Sequence, residues 1–415
     1  MIIYKQFNNG LRLVINKMEG MLSVSAGVLV KTGSMNESAE ENGISHFIEH
    51  VTFKGTKTRS AFDISDHIDR IGAQINAFTS KELTCYYTKS TKEHFGKSLE
   101  ILSDIFFDSV YDKTELEKEK GVIIEEINMS EDSPEEVCLD LLSESYYGKG
   151  GLGQTILGPA KNIKSFTRDD VNKYLDKYYT ADNVVVSLAG NVDVSLAESM
   201  VKDLFADKFT RLKSAPQKQT EPSQKISLYK SKKIEQSHVG FAMDGLSVAD
   251  ERSDAFSIAN IILGGGMSSR LFQKVREELG LAYSVYSYAS MYKDSGVVEI
   301  YAGVNTALRD LAVFAIVSEV KRFKKDGVTE QEFARAKEQL KSSFIMGQES
   351  TYAQMMYAAK HLILLNKEYN FDERMSRLES VNIKDVFDII ENSFDIENAA
   401  TATVGSKRSP IKLKK

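Results

Sequence analysis

Apolar and polar residues alternate with two different periods along the chain, and these periods separate predicted strands from predicted helices. The segments 10–17 (GLRLVINK) and 24–34 (VSAGVLVKTGS) fit paired strands with turn residues between them. Segment 39–55 (AEENGISHFIEHVTFKG) predicts a helix with a glycine at its end. The other elements predicted in the first half are a helix with a hairpin and then two helices: 63–90, 92–109 and 114–132.

The same order of elements recurs after a polar, proline-bearing stretch. A strand, a helix ending in glycines, a hairpin and two helices are predicted at 237–245, 251–266, 281–304, 308–323 and 329–346. This recurrence indicates an internal duplication of a unit of about 200 residues. The predicted fold class is α+β, with two tandem homologous domains, each a mainly antiparallel sheet with packed helices. The predicted division is a domain at 1–210, a linker at 211–223 and a second domain at 224–415.

The composition excludes several classes of protein. Hydrophobic residues make up 42% and charged residues 27% of the chain, as in an ordinary globular protein, and the formal net charge of −6 gives no nucleic-acid footprint. Cys85 and Cys138 lack the spacing of a zinc-thiolate site or a disulfide framework. No signal peptide is visible, and no apolar run reaches the roughly 18 residues that span a bilayer. We expect a soluble cytoplasmic protein that does not bind membranes.

The strongest chemical signal is the motif His46-Phe-Ile-Glu49-His50 within the first predicted helix. Positions four apart lie on one face of a helix, so both imidazoles can reach one ion. A hydrolytic zinc site needs three protein ligands and an open position for water, and Glu49 lies beside the pair as a general base for that water. The alternative is two half-buried histidines on an amphipathic helix with an exposed glutamate.

A third ligand must come from elsewhere, and the predicted helix 114–132 is rich in carboxylates. We expect this helix to begin with a capping box formed by Thr114 and Glu117. Five of its glutamates are candidates for the third ligand: Glu115, Glu117, Glu119, Glu125 and Glu126.

Helical phase selects among these carboxylates. Glu119 and Glu126 are seven residues apart and fall on nearly the same line, with Ile123 between them. Glu125 aligns instead with Lys118, where a solvated ion pair is the simpler interpretation. A carboxylate flanked by isoleucines needs a partner if it is buried, so we predict Glu126 as the ligand. Glu119 is then a candidate acceptor for the N–H of a ligand histidine, or else a plain surface charge.

The second repeat provides an internal control for this site. Aligning the two repeats places Phe256, Ala259 and Asn260 opposite His46, Glu49 and His50, in that order. Lys341 falls opposite Glu126. The second domain is therefore predicted to keep the scaffold without the metal site, so a requirement of the scaffold does not explain the ionisable cluster.

These segments resemble the pitrilysin or insulinase family of inverted-motif zinc peptidases, and they look most similar to the mitochondrial processing peptidase and its bacterial relatives. GISHFIEHVTFKGT (43–56) resembles the family's zinc helix, and EKEKGVIIEEI (117–127) resembles its third-ligand helix. The resemblance implies that His46, His50 and Glu126 bind one zinc ion per chain and that Glu49 is the base.

Two further segments carry the resemblance into substrate binding. INAFTSKELTCYY (75–87) resembles the strand that holds substrate near the metal, which points to Asn76, Ala77 and Phe78. GGGMSSRLFQKVREELGLAYSV (264–285) resembles a second-half segment with a paired arginine and tyrosine, here Arg276 and Tyr283. In the predicted mechanism both side chains donate hydrogen bonds to the substrate or its oxyanion. Without the resemblance, the simpler interpretation is a surface arginine in a salt bridge and a core tyrosine.

The function implied is a zinc metalloendopeptidase that hydrolyses unfolded or extended peptides with zinc-activated water. Relatives enclose a chamber between two pairs of domains, so the resemblance implies a homodimer, although a single-chain monomer is an alternative. The sequence disfavours two alternative functions. A non-catalytic structural or partner subunit is disfavoured by the intact ligand set, and a small-molecule metalloenzyme by the two-domain length and the strand that docks substrate.

Overall fold

The computed structural model describes residues 1–406 together with residues 411 and 413. The first half of the chain forms six strands and eight helices within this described part. In chain order they are β1 (Ile2–Gln6), β2 (Arg12–Lys17), β3 (Ser23–Val30), α1 (Ile44–Thr52), α2 (Ala61–Arg70), β4 (Gln74–Thr79), β5 (Thr84–Thr91), α3 (Phe95–Asp108), α4 (Lys113–Asp132), α5 (Pro134–Tyr147), α6 (Ala160–Ser165), α7 (Arg168–Tyr178), β6 (Val184–Gly190) and α8 (Val194–Leu204).

The second half follows a similar order of strands and helices, with five strands in its described part against six in the first half. Its elements are β7 (Ser227–Ser231), β8 (Gln236–Asp244), α9 (Ser253–Gly264), β9 (Ala282–Met291), β10 (Gly296–Asn305), α10 (Arg309–Asp326), α11 (Glu330–Gly347), α12 (Thr351–Leu365), α13 (Phe371–Ser380), α14 (Ile383–Ser393) and β11 (Ala400–Gly405). A π-helical segment, Phe272–Glu278, precedes β9.

Each half contributes one sheet. The first sheet has the strand order β1-β2-β6-β3-β5-β4, and the second has β7-β11-β8-β10-β9. All neighbouring strands are antiparallel except β2 with β6 and β7 with β11. The fold is α+β with two mainly antiparallel sheets, which confirms the predicted class. The predicted hairpins are β4–β5 and β9–β10, and in both sheets one strand of that hairpin, β4 or β9, is an edge strand.

The chain forms two compact units, and each unit is built from three segments. The first unit contains Met1–Ile127, Thr155–Lys218 and Ile345–Tyr369. The second contains Asn128–Gln154, Gln219–Phe344 and the described chain from Asn370 onward. Helix α12 therefore belongs to the unit of the first sheet, and α5 to the unit of the second. The division of the two repeats at the linker 211–223 remains a proposal. In the structure each repeat also contributes one helix to the unit of the other, α5 from the first and α12 from the second.

Helix α12 is fixed to the first sheet by polar and apolar contacts. Thr351 Oγ1 lies 2.9 Å from Ser25 Oγ on β3, and the Ser187 hydroxyl on β6 donates to the Met355 carbonyl at 2.8 Å. Met355 is fully buried, and its sulfur would lie 2.8 Å from a Cβ at Gly27, so glycine on β3 lets this side chain pack closely against the strand. The exchanged helix thus completes the packing of the first sheet.

Two local features differ from or add to the sequence expectations. Helix α4 begins at Lys113, and the Asp112 carboxylate accepts the N–H groups of Thr114 and Glu115 at 2.8 and 3.3 Å. The expected Thr114–Glu117 capping box is wrong because the helix begins at Lys113, two residues earlier than an N-cap at Thr114 requires. Among the described residues, no helix has both the length and the apolar composition needed to cross a membrane.

We predict that Met355→Ala lowers the free energy of unfolding by about 2–5 kcal/mol, because truncating a fully buried side chain leaves a cavity. Met346 is 65% exposed and also lies in the first unit, so Met346→Ala is the matched control, with a change within about 0.5 kcal/mol. Urea denaturation of both variants measures the difference. A Met355→Ala midpoint equal to that of the control would show that α12 does not hold the first sheet.

Candidate metal centre

Helix α1 buries one face and leaves the other for chemistry. Ile44, Phe47, Ile48 and Val51 follow the helical repeat and are at most 1% exposed within the apolar core of the first unit. The remaining face carries His46, Glu49 and His50. The backbone of the motif is therefore fixed by the core on its apolar side.

A buried carboxylate caps the start of α1. The helix begins after Gly43, which has φ of 99°, and no side chain of the cap residue bonds the first turn. Glu37 supplies the acceptor instead, since its carboxylate takes the N–H groups of Gly43 and Ser45, both at 2.8 Å. Gly43 is required here because its φ is positive and a Cβ would lie 2.7 Å from the Leu157 carbonyl oxygen.

The two histidines meet Glu126 of α4. Glu126 Oε2 lies 3.6 Å from His46 Nε2 and 3.5 Å from His50 Nε2. The ring centroids of the histidines are 4.6 Å apart in an edge-on arrangement. Within residues 1–406, 411 and 413, these three residues form the one group of three or more His, Cys, Asp or Glu side chains whose ligand atoms lie within 4.8 Å of each other. The structure thus brings together the three residues predicted as metal ligands.

The protonation of this cluster fits a metal site. Burial, together with the neighbouring His50, lowers the pKa of His46 to about 4, so its imidazole is neutral at pH 7. Neutral imidazole is the form that binds a metal ion. The set of two imidazoles and one carboxylate is a donor set typical of hydrolytic zinc, and half-exposed Glu126 leaves one side of it open. The residues present therefore fit a zinc ion.

Glu119 orients one of the histidines. Its side chain is 7% exposed, and Oε2 lies 3.2 Å from His50 Nδ1, while Oε1 lies 2.7 Å from Lys54 Nζ. Because an ionised carboxylate only accepts hydrogen bonds, the imidazole proton lies on Nδ1, and His50 Nε2 keeps its lone pair. His46 Nδ1 is also buried, but among the described residues nothing accepts a hydrogen bond from it.

Glu49 lies beside the cluster and is held by the edge strand. The Thr79 hydroxyl donates to Glu49 Oε2 at 2.6 Å, and the Thr79 backbone also bonds the same carboxylate. Burial raises the pKa of Glu49, and the Thr79 hydrogen bond lowers it in part. Sequence reasoning missed Thr79. The signal was available, because Thr79 lies two residues beyond Ala77 and so shares the face of β4 that packs on α1.

The residues predicted to bind substrate lie on β4, the edge of the first sheet. Asn76 is exposed, Phe78 is half-buried, and Ala77 is buried on the opposite face. Strand β4 ends at Thr79, which contacts the candidate base. The structure therefore places this segment beside Glu49, with its outer edge unpaired among the described strands.

The hairpin register shows which backbone groups of β4 face outward. The Ser80 N–H bonds the Leu83 carbonyl at 2.8 Å, which makes them a hydrogen-bonded pair. Counting back in twos, the residues with N–H and C=O groups on the free edge are Ile75, Ala77 and Thr79. The Ala77 N–H bonds the Asn76 side-chain oxygen at 2.8 Å, as expected for an outward-facing group without a strand partner.

Arg276 and Tyr283 lie in the second unit and contact each other. The Arg276 guanidinium lies over the Tyr283 ring at 5.3 Å and over the Phe272 ring at 4.7 Å. Tyr283, expected to be a core residue on composition alone, is 79% exposed. Arg276 lies in the π-helical segment, an uncommon backbone form that is frequent at functional sites.

The second unit has no equivalent of the ionisable cluster among the described residues. Phe256 and Ala259 are fully buried, and Asn260 accepts a hydrogen bond from the Ser287 hydroxyl of β9 at 2.8 Å. Lys341 pairs with Glu379 at 2.7 Å. A neutral amide–hydroxyl pair therefore joins this helix to its edge strand, and its amide, Asn260, aligns with His50 of the first unit.

Two family models match the sequence. Residues 12–160 match the model described as Insulinase (Peptidase family M16), and residues 165–340 match the one described as Peptidase M16 inactive domain. The chain is 42% identical to the "Uncharacterized zinc protease YmxG" of Bacillus subtilis, over 97% of this chain and 98% of that protein. It is 36% identical to an "Uncharacterized zinc protease" of Streptomyces coelicolor, over 91% and 84%.

Solved structures share the fold of the whole chain. A protease from Helicobacter pylori superimposes with a TM-score of 0.87 at 23% identity, covering 98% of this chain and 99% of that chain. A peptidase M16 inactive domain from Pseudomonas fluorescens gives 0.91 at 18% identity and covers 100% of both chains. With the family models and relatives above, these matches show that the chain belongs to the insulinase family of peptidases, family M16.

Proposed function

We propose that this protein is a zinc metalloendopeptidase that hydrolyses peptide bonds in unfolded or extended peptides. The observation that carries the proposal is the convergence of His46, His50 and Glu126 within 4.8 Å, with Glu49 on the same helix face. We assign the first three as ligands of one zinc ion per chain and Glu49 as the general base. The names of the relatives, zinc proteases, support the choice of metal.

The chemistry divides between the metal and the protein. A bound zinc ion acidifies the attacking water and polarises the scissile carbonyl. Glu49 accepts the proton of that water and delivers it to the leaving amine. Burial suits Glu49 to this role, because a raised pKa brings a carboxylate closer to the pH at which it must both take and return a proton. Thr79 holds the carboxylate at the end of the edge strand.

The substrate enters as an additional strand on β4. The outward N–H and C=O of Ala77 and the outward carbonyl of Thr79 offer an extended peptide main-chain hydrogen bonds that make little demand on its sequence. Pairing requires the incoming carbonyl to replace Asn76 Oδ1 at the Ala77 N–H. Asn76 and Phe78 then flank one face of the bound peptide. Folded substrates are disfavoured because their backbone groups are already paired.

The second unit assists catalysis without a metal of its own. Phe256, Ala259 and Asn260, which align with the metal motif, fall in the region matched by the model described as an inactive domain, and they are buried or neutral. In the proposed mechanism Arg276 and Tyr283 donate hydrogen bonds to the substrate or oxyanion. The self-sufficient residue set and the family resemblance lead us to propose a homodimer located in the cytoplasm.

A non-catalytic partner subunit of a peptidase-like complex is the alternative function. The match of residues 165–340 to an inactive domain favours it. The intact cluster of the first unit favours the enzyme, because a subunit that only binds has no need of a base beside three ligand atoms. Metal content together with cleavage of a quenched extended peptide separates the two functions.

Glu49→Gln should retain zinc and lower kcat by about 10²–10⁴, because the amide cannot accept the proton of the attacking water. Chelation of the wild-type protein should also stop hydrolysis, and added zinc should restore it. Zinc analysis and cleavage of a quenched peptide measure both effects, with exposed Glu125→Gln as the matched control. A Glu49→Gln variant that cleaves at the wild-type rate would show that Glu49 is not the base.

Glu126→Gln should lose zinc on dialysis, whereas Glu125→Gln should keep it. Glu126 Oε2 lies within 3.6 Å of both histidine Nε2 atoms, and the adjacent Glu125 is exposed and points away from the cluster in helical phase. Zinc per chain, measured after dialysis against a weak chelator, tests the pair. The reverse pattern would assign the third ligand to Glu125.

Tyr283→Phe should lower kcat by about 10²–10³ if its hydroxyl stabilises the oxyanion, while zinc content and melting temperature stay at wild-type values. The exposed ring is retained, so the fold loses nothing that its core depends on. Arg276→Ala should also lower activity without loss of zinc, and the two variants are compared by kcat, metal content and thermal melting. Wild-type activity in both would limit the pair to a structural role.

A further inference from the structure

Lys54 lies just beyond the helix that carries the two candidate histidine ligands. It lies two residues beyond the end of α1, and four and eight residues beyond His50 and His46 in the sequence. Its backbone N–H bonds the Val51 carbonyl at 3.2 Å, which holds the residue close to the last turn of the helix. A lysine also suits this end of a helix, where the backbone carbonyls carry partial negative charge.

The ammonium group of Lys54 reaches α4. Nζ lies 2.7 Å from Glu119 Oε1, while the other oxygen of the same carboxylate faces His50 Nδ1 at 3.2 Å. The Glu119 side chain is only 7% exposed and the Lys54 side chain 32%, so water supplies little of the carboxylate's solvation. Both oxygens of Glu119 therefore have fixed protein partners.

We propose that Lys54 is a positioning residue of the metal centre, which holds the Glu119 carboxylate in the orientation that fixes the His50 ring. Charge-assisted hydrogen bonds are directional, so the Lys54 contact limits rotation of the carboxylate about its Cγ–Cδ bond. With that rotation limited, Oε2 stays on the His50 Nδ1 proton, and His50 Nε2 stays aimed at Glu126. This inference rests on the proposed zinc site and adds a residue that the sequence motif does not include.

The competing explanation is an ordinary ion pair between the end of α1 and α4 that contributes only to folding. Lys57 provides a matched comparison three residues along the same segment. It pairs with Asp108 at a similar distance, 2.9 Å, but its side chain is 70% exposed and Asp108 contacts no candidate ligand. A structural role predicts that Lys54 and Lys57 variants differ only in stability.

The test measures metal binding directly, without peptide. Zinc affinity of full-length Lys54→Met, Lys54→Arg and Lys57→Met is determined by competition with a chromophoric chelator. Partners of metal-bound histidines typically change metal affinity by about 10–100-fold when removed, so we expect zinc binding about tenfold weaker in Lys54→Met. Lys54→Arg should recover most of the affinity, because arginine restores a charged donor, and Lys57→Met should match the wild type.

Two further readouts separate positioning from stability. The visible spectrum of the cobalt-substituted protein reports ligand geometry, and we expect it to change in Lys54→Met but not in Lys57→Met. In the double variant Lys54→Met/Glu119→Gln, zinc affinity should equal that of Glu119→Gln alone, since Lys54 acts through that carboxylate. Melting of the metal-free variants shows whether each one folds.

Each outcome decides the inference. Zinc affinity and cobalt spectrum unchanged in a folded Lys54→Met variant would overturn it, as would tighter zinc binding or an additive loss in the double variant. If Lys54→Met does not fold, Lys54→Gln with the same measurements applies the same criteria. A wild-type protein that binds no zinc would overturn the proposed function itself, whereas equal zinc affinity of wild type and Lys54→Met would leave that function standing.

Discussion

The hydrogen bond between His50 and Glu119 joins the two helices on which the candidate site depends. The Glu119 carboxylate on α4 bonds His50 of α1 through one oxygen and Lys54 through the other. Seven residues further along α4, Glu126 meets the free nitrogens of both histidines. Two spacings, four residues on one helix and seven on the other, therefore set the geometry of the centre. The apolar core packs against the opposite face of α1 and fixes the backbone that carries the two histidines.

The duplicated fold explains how one scaffold supports two different units. Both sheets end in an edge strand that a helix contacts, β4 with α1 and β9 with α9. In the first unit that contact carries Glu49 and Thr79, and in the second it carries Asn260 and Ser287. The two units therefore differ in a few side chains at this contact and in the residues opposite it in the alignment, Glu126 in the first and Lys341 in the second. The exchanged helices α5 and α12 make each sheet dependent on the other half of the chain.

The sequence predicted the elements whose signals are local, and it missed those that depend on packing. The hairpins, the motif helix and the phase of Glu126 were readable because periodicity and spacing determine them. The sequence did not predict the exchange of α12. Apolar residues such as Met355 indicate that the helix has a buried face, but they do not indicate which sheet buries it. Thr114 shows the same limit, since the N-cap of the helix is Asp112, two residues before the expected cap at Thr114. The roles of Asn76, Arg276 and Tyr283 remain predictions.

Zinc K-edge X-ray absorption of the purified protein in solution tests most directly whether His46, His50 and Glu126 bind zinc. We expect about one zinc per chain, coordinated only by nitrogen and oxygen at about 2.0–2.2 Å, with the multiple scattering of two imidazoles. Glu126→Gln should abolish or rearrange that shell. A sulfur neighbour at about 2.3 Å, a single imidazole, or a protein that retains no zinc after mild dialysis would contradict the assignment of His46, His50 and Glu126.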